Sequence, residues 1–327
     1  MKLLIALAHR FELWMPPEWF APRLHEEFPQ LSVVQIPNYD ALPRELPDTE
    51  IAIAWSIRPE QFAAAKKLKW IHSTAAAVHQ LLYPEMIRSS VVLTNARSVH
   101  GPVVAEHALA LMLAMAKQLP RLRDSQWKKV WAQEAMWNQS PKPIELRGAT
   151  VSMVGFGAIG REVAVRCHAL GMRVTVVREH SEQPSPPAKQ VFGFDQMQAA
   201  VAQADFVVLA IPVTPETTGF FNARLFAAMK QSAYLVNVGR GVLVDEAAMI
   251  EVLQQKRIAG AALDVFTEEP LPANSPLWEM ENVMITPHTA SITERLWERH
   301  YELISENVRR YLSSAPLLGV VNKAKGY

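Results

Sequence analysis

Short apolar runs, separated by stretches with helical spacing, recur along the whole chain. In the first third the runs are Leu3–Ala8, Ser32–Gln35, Ile51–Ala54, Trp70–His72 and Val91–Thr94, with helix-like segments such as Pro17–Glu27 and Pro59–Lys67 between them. Runs of this length that alternate with helical segments predict the strands of a parallel α/β sheet. A second series starts at Ala149, with runs at Thr150–Val154, Arg173–Val177, Phe206–Ile211, Ala233–Val238, Gly260–Val265 and Asn282–Thr286. These six predicted strands suit one mononucleotide-binding sheet.

Between the two series the pattern changes. From Pro102 to Gln118 the sequence is apolar almost all round, which predicts a buried helix with Pro102 at its first turn, where a missing N–H costs little. Arg121 to Trp137 is rich in Trp, Lys and Arg and reads as an exposed arm; the spacing of Trp127 and Trp131 predicts one shared helical face. The stretch EQPSPPAK at 182–189 is a surface loop, and a last helix runs from about Ser291 to Leu312. The N-terminal stretch MKLLIALAHRFELW has too short an apolar core for a signal peptide and reads as a first buried strand. No apolar window is long enough for a transmembrane helix, so no membrane partner is expected.

Composition narrows the class. The chain has 327 residues, half of them hydrophobic, enough for about two domains. Thirty-three basic residues against 32 acidic ones leave a net charge of +1, and no basic run points to nucleic acid. The single cysteine, Cys167, excludes an internal disulfide and fits a reducing cytoplasm; in its helix it reads as a small buried hydrophobe. No His, Cys and carboxylate cluster has metal-ligand spacing, so no metal is expected.

The run VSMVGFGAIGREVA places Gly155, Gly157 and Gly160 in a G-x-G-x-x-G pattern between a predicted strand and a helix over Ala158–Leu170. In that context Gly155 allows the tight turn, Gly157 lets the backbone approach a pyrophosphate, and Gly160 lets the helix pack on the strand. The first helical N–H groups, from Ala158 and Ile159 onward, then face the anion. At the end of the next strand, where an acidic residue would read the ribose 2′-hydroxyl of NAD(H), stands Arg178, with Ser181 nearby. A guanidinium there suits a 2′-phosphate, so NADP(H) is the expected cofactor; NAD(H) stays open if Glu179, one residue later, takes the ribose.

Three further motifs follow in order: NVGRG at 237–241, ALDVFTEEPLP at 262–272 and ITPHTAS at 285–291. Together with the glycine motif and the VVAEHALALMLA helix, from about Trp70 to Ser291, they resemble the D-isomer-specific 2-hydroxyacid dehydrogenase family, and its glyoxylate/hydroxypyruvate reductases in particular. The resemblance implies two Rossmann-like parallel-sheet domains. Residues 101–290 would form a dinucleotide-binding domain, inserted into a flavodoxin-like substrate domain of residues 1–100 and 291–327, with substrate held between them.

By the same resemblance Arg240 is the substrate-carboxylate arginine, Glu269 the partner of a histidine, and His288 the general acid/base. Reduction of a ketone needs a hydride at carbon, which NAD(P)H gives, and a proton at oxygen, which an imidazolium gives. Asp264 would contact the nicotinamide carboxamide, Ala290 would lie beside the nicotinamide, Ile211, Pro212 and Thr217 would border the adenine pocket, and Val238 would also touch the cofactor. The expected activity is reduction of a small 2-oxo acid to a D-2-hydroxy acid. The alternative is a dinucleotide-sensing corepressor on the same fold.

The chain departs from the family at Ser73–His79, where alanines replace the glycines of a carboxylate-binding loop. Ala76 and Ala77 still offer backbone donors, but they adopt positive φ less readily than glycine, so a different loop shape is expected. Trp55 and Arg58 follow the third strand as candidates for a pocket wall, with core packing or a plain surface position as the alternatives. In the family the arm often embraces a second subunit, so the resemblance implies a homodimer.

Overall fold

The computed structural model describes residues 1–139 and 141–326. The chain divides into two compact units, Met1–His100 with Thr293 onward, and Gly101–Ile292.

The first unit holds five parallel strands: β1 (Lys2–Ala6), β2 (Ser32–Gln35), β3 (Ile51–Ala54), β4 (Trp70–Ser73) and β5 (Val92–Asn95), in the order β2-β1-β3-β4-β5. Leu4 pairs with Val34 on one side and Ala52 on the other, which fixes the register around the central strand. Successive side chains leave a strand on opposite faces. Leu3, Ile5, Ile51, Ile53 and Trp70 therefore enter one core with the helix Leu296–Leu312, while Leu4, Ala6, Ala52, Ala54 and Ile71 enter another. Burial on both faces is why these strands read as continuous apolar runs rather than as alternating ones.

The second unit holds β6 (Thr150–Val154), β7 (Arg173–Val177), β8 (Gln190–Phe192), β9 (Phe206–Leu209), β10 (Tyr234–Asn237), β11 (Gly260–Leu263) and β12 (Val283–Ile285). They form a parallel seven-stranded sheet in the order β12-β11-β10-β9-β6-β7-β8. Val207, Leu209, Leu235 and Leu263 point into one core, and Met153, Val208, Val236 and Ala262 into the other, under the helix Gly101–Ala116. The topology reverses direction between β6 and β9, and ligands of open α/β sheets bind at the strand C-termini beside such a point. Gly155, Arg178, Ile211, Arg240, Asp264 and Thr286 all follow strands of this sheet at that edge.

Three sequence expectations are corrected. The sheet has seven strands, not six: β8 is only three residues long, directly after the proline-rich loop, and shows no periodicity of its own. The arm is broken into helices Leu119–Trp127 and Gln133–Asn138, because Lys129 takes a left-handed φ of 56°. Trp131 lies past that break, so Trp127 and Trp131 share no helical face. The final helix begins at Leu296 rather than Ser291. Among the described residues, no helix is long and apolar enough to cross a membrane, and no group of three or more His, Cys, Asp or Glu could hold a metal ion.

Candidate active site

The glycine turn after β6 has the geometry of a dinucleotide cradle. Gly155 sits at φ 101°, and a Cβ there would come within 2.4 Å of the Ala210 carbonyl oxygen and 2.6 Å of Ile211. At Gly160 a Cβ would lie 2.2 Å from the Gly155 oxygen, so the helix Ala158–Ala169 can approach the strand only with glycine there. Above Gly157, by contrast, a Cβ would meet no atom within 4 Å. That open space lies at the start of a helix whose N-cap has no side-chain hydrogen bond, where the first-turn N–H groups, including those of Ala158 and Ile159, have no helical acceptor. Tight sterics below and unpaired donors above fit a pyrophosphate.

The flanking positions close the same edge. Ile211 is buried against Gly155, and Thr217 fastens the loop after β9 by donating to the Pro212 carbonyl (2.9 Å) and accepting from Thr214 N (2.7 Å). Val238 and Ala290 are buried in one apolar cluster with Phe156. At the end of β7, Arg178 donates from Nη2 to Gln183 Oε1 (2.9 Å) and from Nη1 to Ser185 Oγ (3.2 Å), so its guanidinium is held by the loop that follows. Ser181 belongs to this loop and lies near Gly193.

Arg240 leaves β10 through a loop clamped by Asn237. The Asn237 side chain accepts from Gly239 N (3.1 Å) and donates to the Arg240 carbonyl (2.9 Å). Gly241 then passes so close to the next loop that a Cβ would stand 1.8 Å from the carbonyl carbon of Phe266. The Arg240 loop is thereby seated against the loop that carries Glu269. Arg240 keeps accessible surface, yet packing around its guanidinium desolvates it and lowers its pKa, while the charge of nearby Glu269 opposes that shift. Nη1 donates to the Gly239 carbonyl (2.7 Å), which leaves the rest of the guanidinium fork for another acceptor.

Glu269 Oε1 accepts from Phe266 N (2.9 Å), and Oε2 lies 2.7 Å from Nδ1 of His288. The ionised carboxylate only accepts, so Nδ1 carries the proton and Nε2 is the ring atom left to meet a ligand. His288 itself stands at φ 53°, an uncommon value for a residue with a side chain. It is held there through Asp264. The Asp264 carbonyl accepts from His288 N (2.8 Å), and its carboxylate accepts from Thr289 N (2.9 Å), Ala290 N (3.0 Å) and the Thr286 hydroxyl (2.6 Å). The Asp264 residue is 1% exposed. Burial works to raise its pKa, but donors from His107, Thr286, Thr289 and Ala290 outweigh it and hold the pKa below the usual value. Both oxygens of this carboxylate accept from groups of the chain, Oδ1 from Thr286 and Thr289 and Oδ2 from Ala290 N.

Sequence reading missed Asn237, Thr286 and His107 in this arrangement. The signals available were a polar residue inside an apolar strand end, a threonine before Pro287, and the Glu106–His107 pair inside an otherwise apolar helix.

In the first unit, Ala76 and Ala77 follow β4 in a loop shaped without glycine. No residue from Ser73 to Val78 has positive φ; Ala75 N donates to Ser73 Oγ (3.2 Å) and Asn95 Nδ2 to the Ala76 carbonyl (2.7 Å). The N–H groups of Ala76 and Ala77 donate to no protein acceptor among the described residues. Alanine therefore fits because the turn is made by the serine and asparagine side chains, not by a left-handed residue. Trp55 is anchored beside this loop by its Nε1, which donates to Thr74 Oγ1, and by Gln80, whose Nε2 donates to its carbonyl (2.9 Å).

A parallel sheet with this glycine cradle and an Arg, a Glu–His pair and a buried Asp at its C-terminal edge defines a dinucleotide-binding protein with a candidate acid/base site. The family model "D-isomer specific 2-hydroxyacid dehydrogenase, NAD binding domain" matches residues 109–290. The chain is 33% identical over 291 residues to a D-3-phosphoglycerate dehydrogenase of Archaeoglobus fulgidus, covering 86% of this chain and 53% of that protein. It is 34% identical over 261 residues to a glyoxylate reductase of Pyrococcus furiosus, covering 77% of this chain and 75% of that one. Among solved structures it is similar to an NADPH-dependent glyoxylate/hydroxypyruvate reductase from Sinorhizobium meliloti in complex with NADP and sulfate, at 27% identity and a TM-score of 0.82, over 100% of this chain and 99% of that one. The chain belongs to the D-isomer specific 2-hydroxyacid dehydrogenase family. It spans about half the length of the phosphoglycerate dehydrogenase it matches.

Proposed function

We propose that the protein reduces small 2-oxo acids, of the glyoxylate and hydroxypyruvate type, to D-2-hydroxy acids with a nicotinamide dinucleotide, NADPH in preference to NADH. The carrying observation is the 2.7 Å His288–Glu269 pair, whose free Nε2 belongs to the same loop cluster as Arg240. In this reading the second unit is the dinucleotide domain and the first the substrate domain.

Gly155, Gly157, Gly160 and the first turn of the helix Ala158–Ala169 hold the pyrophosphate, and the bound cofactor supplies a hydride. Arg240 binds the substrate carboxylate through its planar fork and offsets charge growing on the carbonyl oxygen. Imidazolium His288 gives its Nε2 proton to that oxygen and ends neutral, with Nδ1–H still on Glu269. In the first unit, the backbone N–H groups of Ala76 and Ala77 are the anion donors that the loop after β4 offers. The test is steady-state reduction of glyoxylate, hydroxypyruvate, pyruvate and bulkier 2-oxo acids, each with NADH and NADPH. Absence of NAD(P)H oxidation with the whole panel overturns the enzyme reading and leaves a dinucleotide-binding protein.

Two expected results refine it. Arg240→Lys should raise KM for the 2-oxo acid by about tenfold or more with a smaller fall in kcat, because an ammonium cannot make the bidentate contact. Unchanged kinetics would remove Arg240 from the site. The NADPH preference rests on Arg178 at the end of β7, and the Sinorhizobium meliloti neighbour holds NADP. Arg178→Ala should raise KM for NADPH roughly tenfold and leave KM for NADH nearly unchanged, since an ion-assisted contact is worth about 1.5–3 kcal/mol. An equal effect on both cofactors refutes the assignment.

The arm supports a homodimer. Trp127, Trp131 and Trp137 are 72%, 88% and 69% exposed, more aromatic surface than an isolated chain commonly leaves in water. A cytoplasmic setting suits the fully buried Cys167, whose thiol pKa is pushed up to about 12 by burial.

A further inference from the structure

The helix Gly101–Ala116 buries apolar side chains along most of its length, yet it sends an imidazole into the strand ends of the second unit. His107 Nε2 lies 3.0 Å from the Thr286 hydroxyl oxygen and 3.4 Å from Asp264 Oδ1. The protons in this chain can be counted. A threonine hydroxyl has one hydrogen, and Thr286 stands 2.6 Å from the ionised Asp264 carboxylate, which can only accept. Thr286 therefore spends its hydrogen on Asp264. Its remaining lone pairs face His107, so His107 must donate from Nε2. The opposite tautomer would take the threonine hydrogen and leave two oxygens 2.6 Å apart with no proton between them. The network thus runs one way, from imidazole N–H to hydroxyl to carboxylate.

We propose that His107 is a positioning residue for His288, acting through Thr286 and Asp264; the inference rests on the acid/base role proposed above for His288. Asp264 is buried, and it holds the left-handed His288 turn by its carbonyl on His288 N and by its carboxylate on Thr289 N and Ala290 N. Two of these backbone donors, Thr289 N and Ala290 N, therefore depend on this carboxylate staying charged and fixed. His107 and Thr286 occupy the other side and supply the side-chain donors that offset its burial. Removing the imidazole leaves Thr286 free to rotate and the carboxylate underpaired. The turn then relaxes toward an ordinary φ, which swings the His288 ring away from Glu269 and from substrate. Arg240 is untouched, so substrate binding is preserved while proton delivery is lost.

The experiment compares wild type, His107→Leu, His107→Gln, Thr286→Val and the double variant His107→Leu/Thr286→Val. Two readouts are taken: steady-state reduction of glyoxylate with NADPH, and long-range proton–nitrogen spectra of histidine-labelled protein. The expected result is a fall in kcat of about tenfold to a hundredfold for His107→Leu, with KM for glyoxylate within about twofold. His107→Gln, whose amide N–H can reach Thr286, recovers most of the activity. The double variant is no worse than the worse single one, as residues acting in series require. In the spectra His107 shows its proton on Nε2, and the Nδ1 proton of His288 is present in wild type but lost in His107→Leu.

Equal losses for leucine and glutamine, a matched rise in KM, or a His107 proton on Nδ1 each overturn the proposal. If wild type reduces glyoxylate and His288→Ala does not, yet His107→Leu is normal, the positioning role alone fails. If wild type reduces no 2-oxo acid, the acid/base reading fails, and the spectra still decide whether His107 governs the His288 ring.

Discussion

Replacement of His288 by alanine is expected to lower kcat for 2-oxo acid reduction by about 10²–10⁴-fold, the usual share of a positioned proton donor. Among the described residues the ring makes one side-chain bond, from Nδ1 to Glu269, and its other nitrogen meets no partner. With the acid/base role proposed for it, its loss removes the proton source while the seats of Arg240 and of the glycine cradle stay as they are. The Arg240 loop depends on Asn237 and Gly241, and the cradle on Gly155 and Gly160, none of which contacts the His288 side chain. NADPH affinity, read by fluorescence titration, should therefore stay within a few fold of wild type. Turnover near the wild-type rate would remove His288 from proton transfer. Glu269→Gln is the companion measurement: an amide can still touch Nδ1 but brings no charge, so a partial loss is expected.

A second large effect concerns stability rather than rate. His72 on β4 is fully buried, and burial lowers its pKa to about 3. Its Nδ1 lies 2.9 Å from Thr94 Oγ1, a hydroxyl that accepts from Trp70 Nε1 (2.8 Å), and among the described residues Nε2 has no partner. His300 in the last helix is likewise held well below its usual value, by burial first and then by the nearby His100 and His72. In the unfolded chain each histidine takes up a proton near pH 6.5; in the fold they resist doing so. Between pH 6.5 and about 3 the unfolded state binds more protons, so stability is full above the unfolded value and falls as the pH drops. His72 alone should cost on the order of 1.4 kcal/mol per pH unit in that window, or about 2 kcal/mol by pH 5, and His300 adds with the same sign. Denaturant midpoints measured at pH 7, 6 and 5 test this. His72→Gln should flatten the slope, and a variant as acid-sensitive as wild type would show that the load lies elsewhere.

Much of the architecture is legible in the sequence because parallel strands buried on both faces announce themselves as apolar runs. Ile51–Ala54, Thr150–Val154 and Arg173–Val177 have the same limits in sequence pattern and structure. What escapes reading is set by tertiary context. The β8 strand is three residues that become a strand only because β7 offers an edge. The arm breaks at Lys129 because of one backbone angle, which no side-chain pattern encodes.

The site divides in the same way. The pairing of Glu269 with His288 comes from the family resemblance of their motifs, and the structure sets the two side chains 2.7 Å apart after adjacent strands. Arg178 is visible as a strand-end arginine, but its contacts to Gln183 and Ser185 depend on how a proline-rich loop folds back. The loop at Ser73–Val78 shows the reverse: alanines that look incompatible with its turn are accommodated because serine and asparagine side chains shape it. His107 was hidden because a histidine in an apolar helix has no periodic signature, and its targets are some 160 to 180 positions away in sequence.

The contact of Gly241 with Phe266 carries an evolutionary consequence. Two backbones that leave no room for a single methyl group cannot drift apart or be re-spaced one at a time. The loop that seats Arg240 and the loop that carries Glu269 are therefore fitted to each other, and only an exchange that moves them together as one block, from Tyr234 to Ala290, preserves the fit. A gene exchange with its junction between 241 and 266 would join surfaces that were never fitted to each other. Exchanges that leave this block whole keep the seat of Arg240 and its spacing from Glu269 and His288.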